Sequence, residues 1–171
     1  MEKDIAKSLD ENEIMQLVDN KAKVVLYSDL YKYSSLHDLL SPHGAVFLLY
    51  QQRPEYGHWT VLFKQSKDTI EFFDPYGVFP DDELEWTEPA MRDELNMNYP
   101  YLTALLYKAP SNYTITYNDH KFQTEGKGIN TCGRWCAIRL ALRDQPLKEF
   151  IRLNENDKHK DKTITILTSE I

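Results

Sequence analysis

The chain has 171 residues, of which 42% are hydrophobic and 27% charged, a balance that lets one globular domain bury a core without disulfide or metal staples and excludes a disordered tail or a mini-protein scaffold. Its 20 Lys and Arg against 27 Asp and Glu leave a net charge of -7, which argues against phosphate-driven nucleic-acid binding. The longest apolar run, Ala45 to Tyr50, is far short of the roughly 20 residues a helix needs to span a bilayer, and the alternating charges of the first residues predict an intracellular, non-secreted protein.

In chain order, Ile14, Met15, Leu17 and Val18 recur at helical spacing behind Ser8 and Asp10, predicting an amphipathic helix over 10–19. A short strand is predicted over 23–27. A helix follows over 29–40, with Leu30, Tyr33, Leu36 and Leu40 on one face and Pro42 as its stop. The middle of the chain reads as β-rich, with strands over 45–52, 58–65 and 69–74 closed by Gly77 and Pro80. Residues 90–108 read as helix broken at Pro100, and 112–117 as a half-buried strand alternating Tyr113, Ile115 and Tyr117. The most apolar helix is predicted to run from Cys132 to about Asp144, burying one face made of Cys136, Ala137, Leu140 and Ala141. A further helix is read over 147–153, while 163–167 fits strand or helix. Without repeats or a Gly/Ser linker, one domain is expected over 1–171.

Two cysteines, Cys132 and Cys136, are too few for a disulfide framework, and without neighbouring ligands at finger spacing they do not make a zinc site. No metal and no cofactor are expected. Cys132 opens a helix, where unpaired backbone N–H groups and the positive end of the dipole favour a thiolate, whereas Cys136, one turn on, belongs to the packed face. Gly133 leaves room beside the sulfur for a substrate backbone. Of five histidines, His58 is the candidate base, since it opens a strand and the next strand returns an acid, Asp74, to it. A three-residue hairpin loop over 65–67 would pair Lys64 with Asp68 and set His58 directly opposite Asp74, both on one face. A two-residue loop would send them to opposite faces; hydrophobic matching does not choose between the registers, and the three-residue loop is expected because the chemistry requires the shared face. Gln123, nine residues before Cys132 with Gly126 and Gly128 between, is the candidate oxyanion donor or else a solvated loop residue. Trp59 shields the site, packs on a substrate, or is core; the residues alone leave this open.

Taken in order, Gly57-His58-Trp59, Phe72-Phe73-Asp74-Pro75-Tyr76-Gly77, Gln123 and Asn130-Thr131-Cys132-Gly133-Arg134-Trp135 resemble the adenain and SUMO-protease group of cysteine peptidases. Within it they are most similar to the maturation proteases of virophages such as mavirus and of polinton-type elements. The resemblance covers about residues 44–145. It implies an α+β, papain-related fold, with a central mixed sheet flanked by helices and the catalytic Cys at the N-terminus of a buried helix. It also implies a thiol endopeptidase that trims capsid and other virion precursors, in the virion and in the cytoplasm of the host at the virus factory. On this resemblance Cys132 is the nucleophile, His58 the general base and acid, Asp74 the orienting residue and Gln123 the oxyanion donor, with Trp59 and Gly133 on the substrate. Gln123 departs from the pattern in standing further from the cysteine than the group's glutamine does. DNA activation, which adenain is known for, is not carried over to so acidic a chain. Two alternatives stay open: an isopeptidase that removes ubiquitin-like modifiers, and a non-catalytic binding module.

Overall fold

The computed structural model of the chain describes residues 1–169. A five-stranded mixed sheet runs in the order β1 (Lys23–Leu26), β2 (Ala45–Arg53), β3 (Tyr56–Ser66), β4 (Thr69–Phe73) and β5 (Thr114–Tyr117). The three central strands are antiparallel and each edge strand is parallel to its neighbour. Among the described residues eight helices surround the sheet: α1 (Glu2–Ala6), α2 (Glu11–Leu17), α3 (Leu36–Leu40), α4 (Pro89–Glu94), α5 (Tyr101–Tyr107), α6 (Cys132–Ala141), α7 (Leu147–Asn154) and α8 (Lys160–Ser169). The fold class is therefore α+β, and no helix among the described residues is long and apolar enough to cross a membrane.

Both faces of the sheet are covered, which explains why β2 and β3 read as continuous apolar runs rather than alternating ones. Phe47, Leu49, Trp59, Val61 and Phe63 pack with Ile14 of α2, Trp135 and Cys136 of α6, Phe150 of α7 and Ile164 of α8. On the opposite face Val46, Leu48, Leu62 and Phe72 meet Tyr27 and Leu30, α3 and α5. The helix predicted over 29–40 is in fact two pieces. A 3-10 segment, Tyr27–Lys32, ends before Tyr33, and α3 starts afresh because the Ser35 side chain accepts the Asp38 N–H. The ambiguous 163–167 stretch lies inside α8. Asp10 caps α2 through a reciprocal capping box with Glu13.

Helix α6 also departs from the expected single buried face. Residues 132–137, 139 and 140 are all buried and Ala141 is exposed, because the helix is sandwiched between β3 on one side and α2 and α8 on the other. Two arginines lie within it. Arg139 is fully buried in a bidentate pair with Glu71 of β4, Nε to Oε1 and Nη2 to Oε2 both at 2.8 Å. The Arg134 guanidinium donates to Thr168 Oγ1 at 2.6 Å. Both charges are thus turned inward and do not contribute to a surface that could meet phosphate.

Gly57 sits where β3 pairs across an irregularity in β2 between Gln51 and Arg53. A Cβ there would lie 1.9 Å from the Tyr50 carbonyl oxygen, so only glycine permits this backbone approach. Gly57→Ala is expected to cost about 3 kcal/mol, the upper range for forced overpacking, read as a lowered midpoint in urea denaturation.

Candidate active site

Four chain segments converge at one end of the sheet. His58 lies near the start of β3 and Asp74 directly follows β4, and their facing is decided by the β3–β4 hairpin. Ser66 pairs with Thr69 across a tight Lys67-Asp68 turn, and a register shift between Lys64 and Ser66 then sets Lys64 against Ile70 and Val61 against Phe73. The expected three-residue loop and the direct His58–Asp74 pairing are therefore both absent. The tight turn alone would place the two side chains on opposite faces; the bulged residue Gln65 restores the shared face, with the pair diagonal instead of opposite. His58 Nε2 lies 3.0 Å from Asp74 Oδ1.

Asp74 is held through its backbone and its Oδ1. Its backbone N–H donates to Asn118 Oδ1 at 3.0 Å, and Asn118 Nδ2 donates back to the Asp74 carbonyl at 2.7 Å. The Tyr76 N–H donates to Asp74 Oδ1 at 2.7 Å, closing an Asx turn through Pro75. The Tyr76 ring then lies over the His58 imidazole, 4.5 Å between centroids and 18° from parallel.

A second acid that the sequence reading missed completes this end of the site. Glu83, in the 3-10 segment Asp82–Trp86, brings Oε1 to 3.1 Å from His58 Nε2. His58, Asp74 and Glu83 offer atoms within 4.8 Å of one another, and all three are buried. Such a trio could hold a divalent cation; a proton answers the same excess of negative charge. Burial and the adjacent Asp74 charge push the Glu83 carboxyl well above the usual carboxylate range. Burial also works against ionising Asp74, but His58 and a hydrogen bond from Glu83 outweigh it and hold Asp74 below its ordinary value. One negative charge is thus shared by two carboxyl groups. No local pattern around Glu83 distinguishes it from Glu85 or Glu88 in an acidic stretch; only the tertiary fold does.

Cys132 occupies the first position of α6, as the sequence predicted. Burial raises its pKa, but the His58 charge, a hydrogen bond with His58, and the backbone N–H groups of Trp59 and Gly133 bring it below the ordinary 9.0. His58 in turn is opposed by burial, yet Glu83, Asp74 and Cys132 raise it well above the ordinary 6.5. The arrangement favours a thiolate–imidazolium pair. Cys136 differs in both respects: its thiol donates to the Trp59 carbonyl at 3.3 Å, and burial drives it well above the ordinary thiol value. Both cysteines are free.

The segment before Cys132 is clamped from α8. Asp161 accepts from Thr131 Oγ1 at 2.6 Å through Oδ1 and from the Thr124 N–H at 3.1 Å through Oδ2. Gln123 is also brought in, 1% exposed, with its backbone N–H on the Pro75 carbonyl at 3.0 Å and its amide on Tyr76 and Ile129. The solvated-loop reading of this residue does not hold. Trp59 and Gly133 are placed differently from expectation. The Trp59 indole lies in the core, donating to the Leu9 carbonyl at 2.9 Å. The space beside Gly133 is filled, since a Cβ there would meet Ile14 at 3.1 Å and Trp59 at 3.2 Å. Its small size serves helix packing here, not an open path for a substrate backbone.

No protein-family model matches this chain. Among curated proteins, the uncharacterized protein V9 of Sputnik virophage is 44% identical over 138 residues, covering 81% of this chain and 78% of that protein. A virophage origin is thereby supported. Among solved structures, the central domain of the uncharacterized Lpg1148 protein from Legionella pneumophila is similar with a TM-score of 0.45 and 15% identity, over 96% of this chain and 95% of that one.

Proposed function

We propose, for a chain that belongs to the same family as protein V9 of Sputnik virophage, the activity of a cysteine endopeptidase of papain-related, adenain-like fold that trims capsid or other virion precursor proteins at the virus factory. The observation that carries the reading is the placement of Cys132 at the start of α6, beside an imidazole whose Nε2 is held 3.0 Å from Asp74. In this reading the thiolate attacks a substrate carbonyl, His58 protonates the departing amine, and a water activated by His58 hydrolyses the thioester. Asp74 fixes the ring and balances its charge; Glu83 holds the proton that keeps the pair of acids at one negative charge.

The pH dependence follows from the two shifts. Activity requires Cys132 deprotonated and His58 protonated, so kcat/KM rises as Cys132 loses its proton and falls as His58 loses its own. Cys132 titrates below 9.0 and His58 well above 6.5, so the expected profile is a bell with an acid limb from the thiol and an alkaline limb from the imidazole. Titrating the rate of thiol alkylation checks the acid limb independently of any substrate.

The deciding experiment incubates the purified protein, wild type and Cys132→Ala, with the capsid proteins of its source and with fusions of ubiquitin-like modifiers, and reads the products by mass spectrometry. Cleavage of capsid proteins by the wild type alone upholds the reading. Cleavage confined to the modifier fusions replaces it with an isopeptidase. A second reading, a binding module without catalysis, is favoured by the burial of Cys132, whose surface is only 4% exposed. It predicts a thiol inert to alkylation near neutral pH and no product in either arm.

A further inference from the structure

As the site stands, Gln123 has no hydrogen to give an oxyanion. A carboxamide carries two N–H donors, and here one goes to the Ile129 carbonyl at 3.0 Å and the other to the Tyr76 hydroxyl oxygen at 3.1 Å. Turning the amide over would set its oxygen against the Ile129 carbonyl, acceptor against acceptor. The Ile129 carbonyl, three residues before the nucleophile, therefore sets the orientation, and it leaves the buried Gln123 Oε1 without a hydrogen-bond partner among the described residues. The hydroxyl that receives the Gln123 hydrogen still carries its own.

Tyr76 is held for use. Its ring is stacked on His58 with the Trp86 ring edge-on at 5.7 Å, and its N–H is tied to Asp74 Oδ1. These contacts fix the ring against His58 and the hydroxyl on the Gln123 amide. A tyrosine hydroxyl keeps its proton at neutral pH, so the O–H bond is intact. The hydroxyl makes no hydrogen bond as a donor among the described residues.

We propose that Tyr76 is a catalytic residue whose hydroxyl donates to the oxyanion of the tetrahedral intermediate, and that Gln123 is the positioning residue that holds the hydroxyl in place by donating to it. The proposal rests on the peptidase reading above. In the step it serves, the sulfur lone pair forms the S–C bond and the carbonyl π electrons move to oxygen. The Tyr76 hydrogen bond strengthens as that charge grows, and its proton stays on tyrosine. Collapse restores the carbonyl, breaks the C–N bond, and sends the His58 proton to the amine nitrogen.

The test compares wild type, Tyr76→Phe and Gln123→Ala. Phenylalanine keeps the ring on His58 and removes only the hydroxyl. Tyr76→Phe is expected to lower kcat about 100-fold, the effect of losing one oxyanion donor, with KM nearly unchanged. A peptide aldehyde, whose hemithioacetal with Cys132 carries the same oxyanion, should bind more weakly in parallel. Alkylation of Cys132 by iodoacetamide, which builds no oxyanion, should keep its wild-type rate, a result that a packing role alone would not give. The proposal is overturned if Tyr76→Phe keeps both rate and aldehyde affinity, and equally if Gln123→Ala loses them while Tyr76→Phe does not, which would make the amide the direct donor. An inactive wild type that still folds removes the peptidase reading, and this proposal with it.

Discussion

Cys132→Ala is expected to lower kcat/KM for peptide hydrolysis about 10⁴-fold or more while the protein keeps its fold, measured as single-turnover cleavage alongside circular dichroism. The sulfur is the atom that forms the bond, so no neighbour replaces it. His58→Ala should lose nearly as much, because the thiolate depends on the imidazolium for its charge and the leaving amine depends on it for a proton. The double variant should then be little worse than either single one, since two residues that act as one unit do not contribute additively. Losses that multiply instead would mean that His58 and Cys132 act independently, and would remove the ion pair from the mechanism.

The largest effect on stability is expected from Arg139→Ala. Arg139 is fully buried between α6 and β4, paired at 2.8 Å through two nitrogens with Glu71, and it donates further to the Leu142 and Gln145 carbonyls, both at 2.9 Å. Its guanidinium also lies over the rings of Phe63 and Phe150, at 5.4 and 5.1 Å. Removing it leaves a carboxylate in the core with no counter-charge, which costs about 3–5 kcal/mol. Replacing both partners together, Arg139→Met with Glu71→Leu, should cost less than the single change, because no charge is stranded. Urea denaturation of the three proteins measures this directly. A double variant less stable than Arg139→Ala would show that the stranded Glu71 carboxylate is not what the single change costs.

Much of this molecule is legible in its residues, and the parts that are not fail for identifiable reasons. Helical and strand periodicity located α2, β1 to β5, α6 and α7, because each repeats its pattern over one turn or several pleats. It missed the break at Tyr33 to Ser35, where a side-chain cap restarts the helix without interrupting the apolar spacing. Cys132 was legible from its place before a long apolar run. His58 and Asp74 were matched as partners on one face, but the register was off by two residues, since the number of residues in a hairpin does not reveal a bulge. Glu83, Asn118 and Asp161 were not legible at all: each reaches the site through a side chain whose neighbours in sequence carry no distinguishing pattern. Trp59, open among three roles from the residues alone and placed on the substrate by the resemblance, lies in the core, because its indole falls on the helix-packed face of β3.

The bulge at Gln65 constrains how relatives of this chain can diverge. Inserting or deleting one residue in the β3–β4 hairpin, with the two-residue turn and the single bulge both kept, would shift the register by one, invert every upstream side chain and carry the imidazole to the wrong side of the sheet. Natural indels in that turn should therefore be even in number, or arrive together with a compensating change in the bulge. Aligned homologues that keep the histidine and the aspartate but differ there by a single uncompensated residue would contradict the geometry drawn from this hairpin.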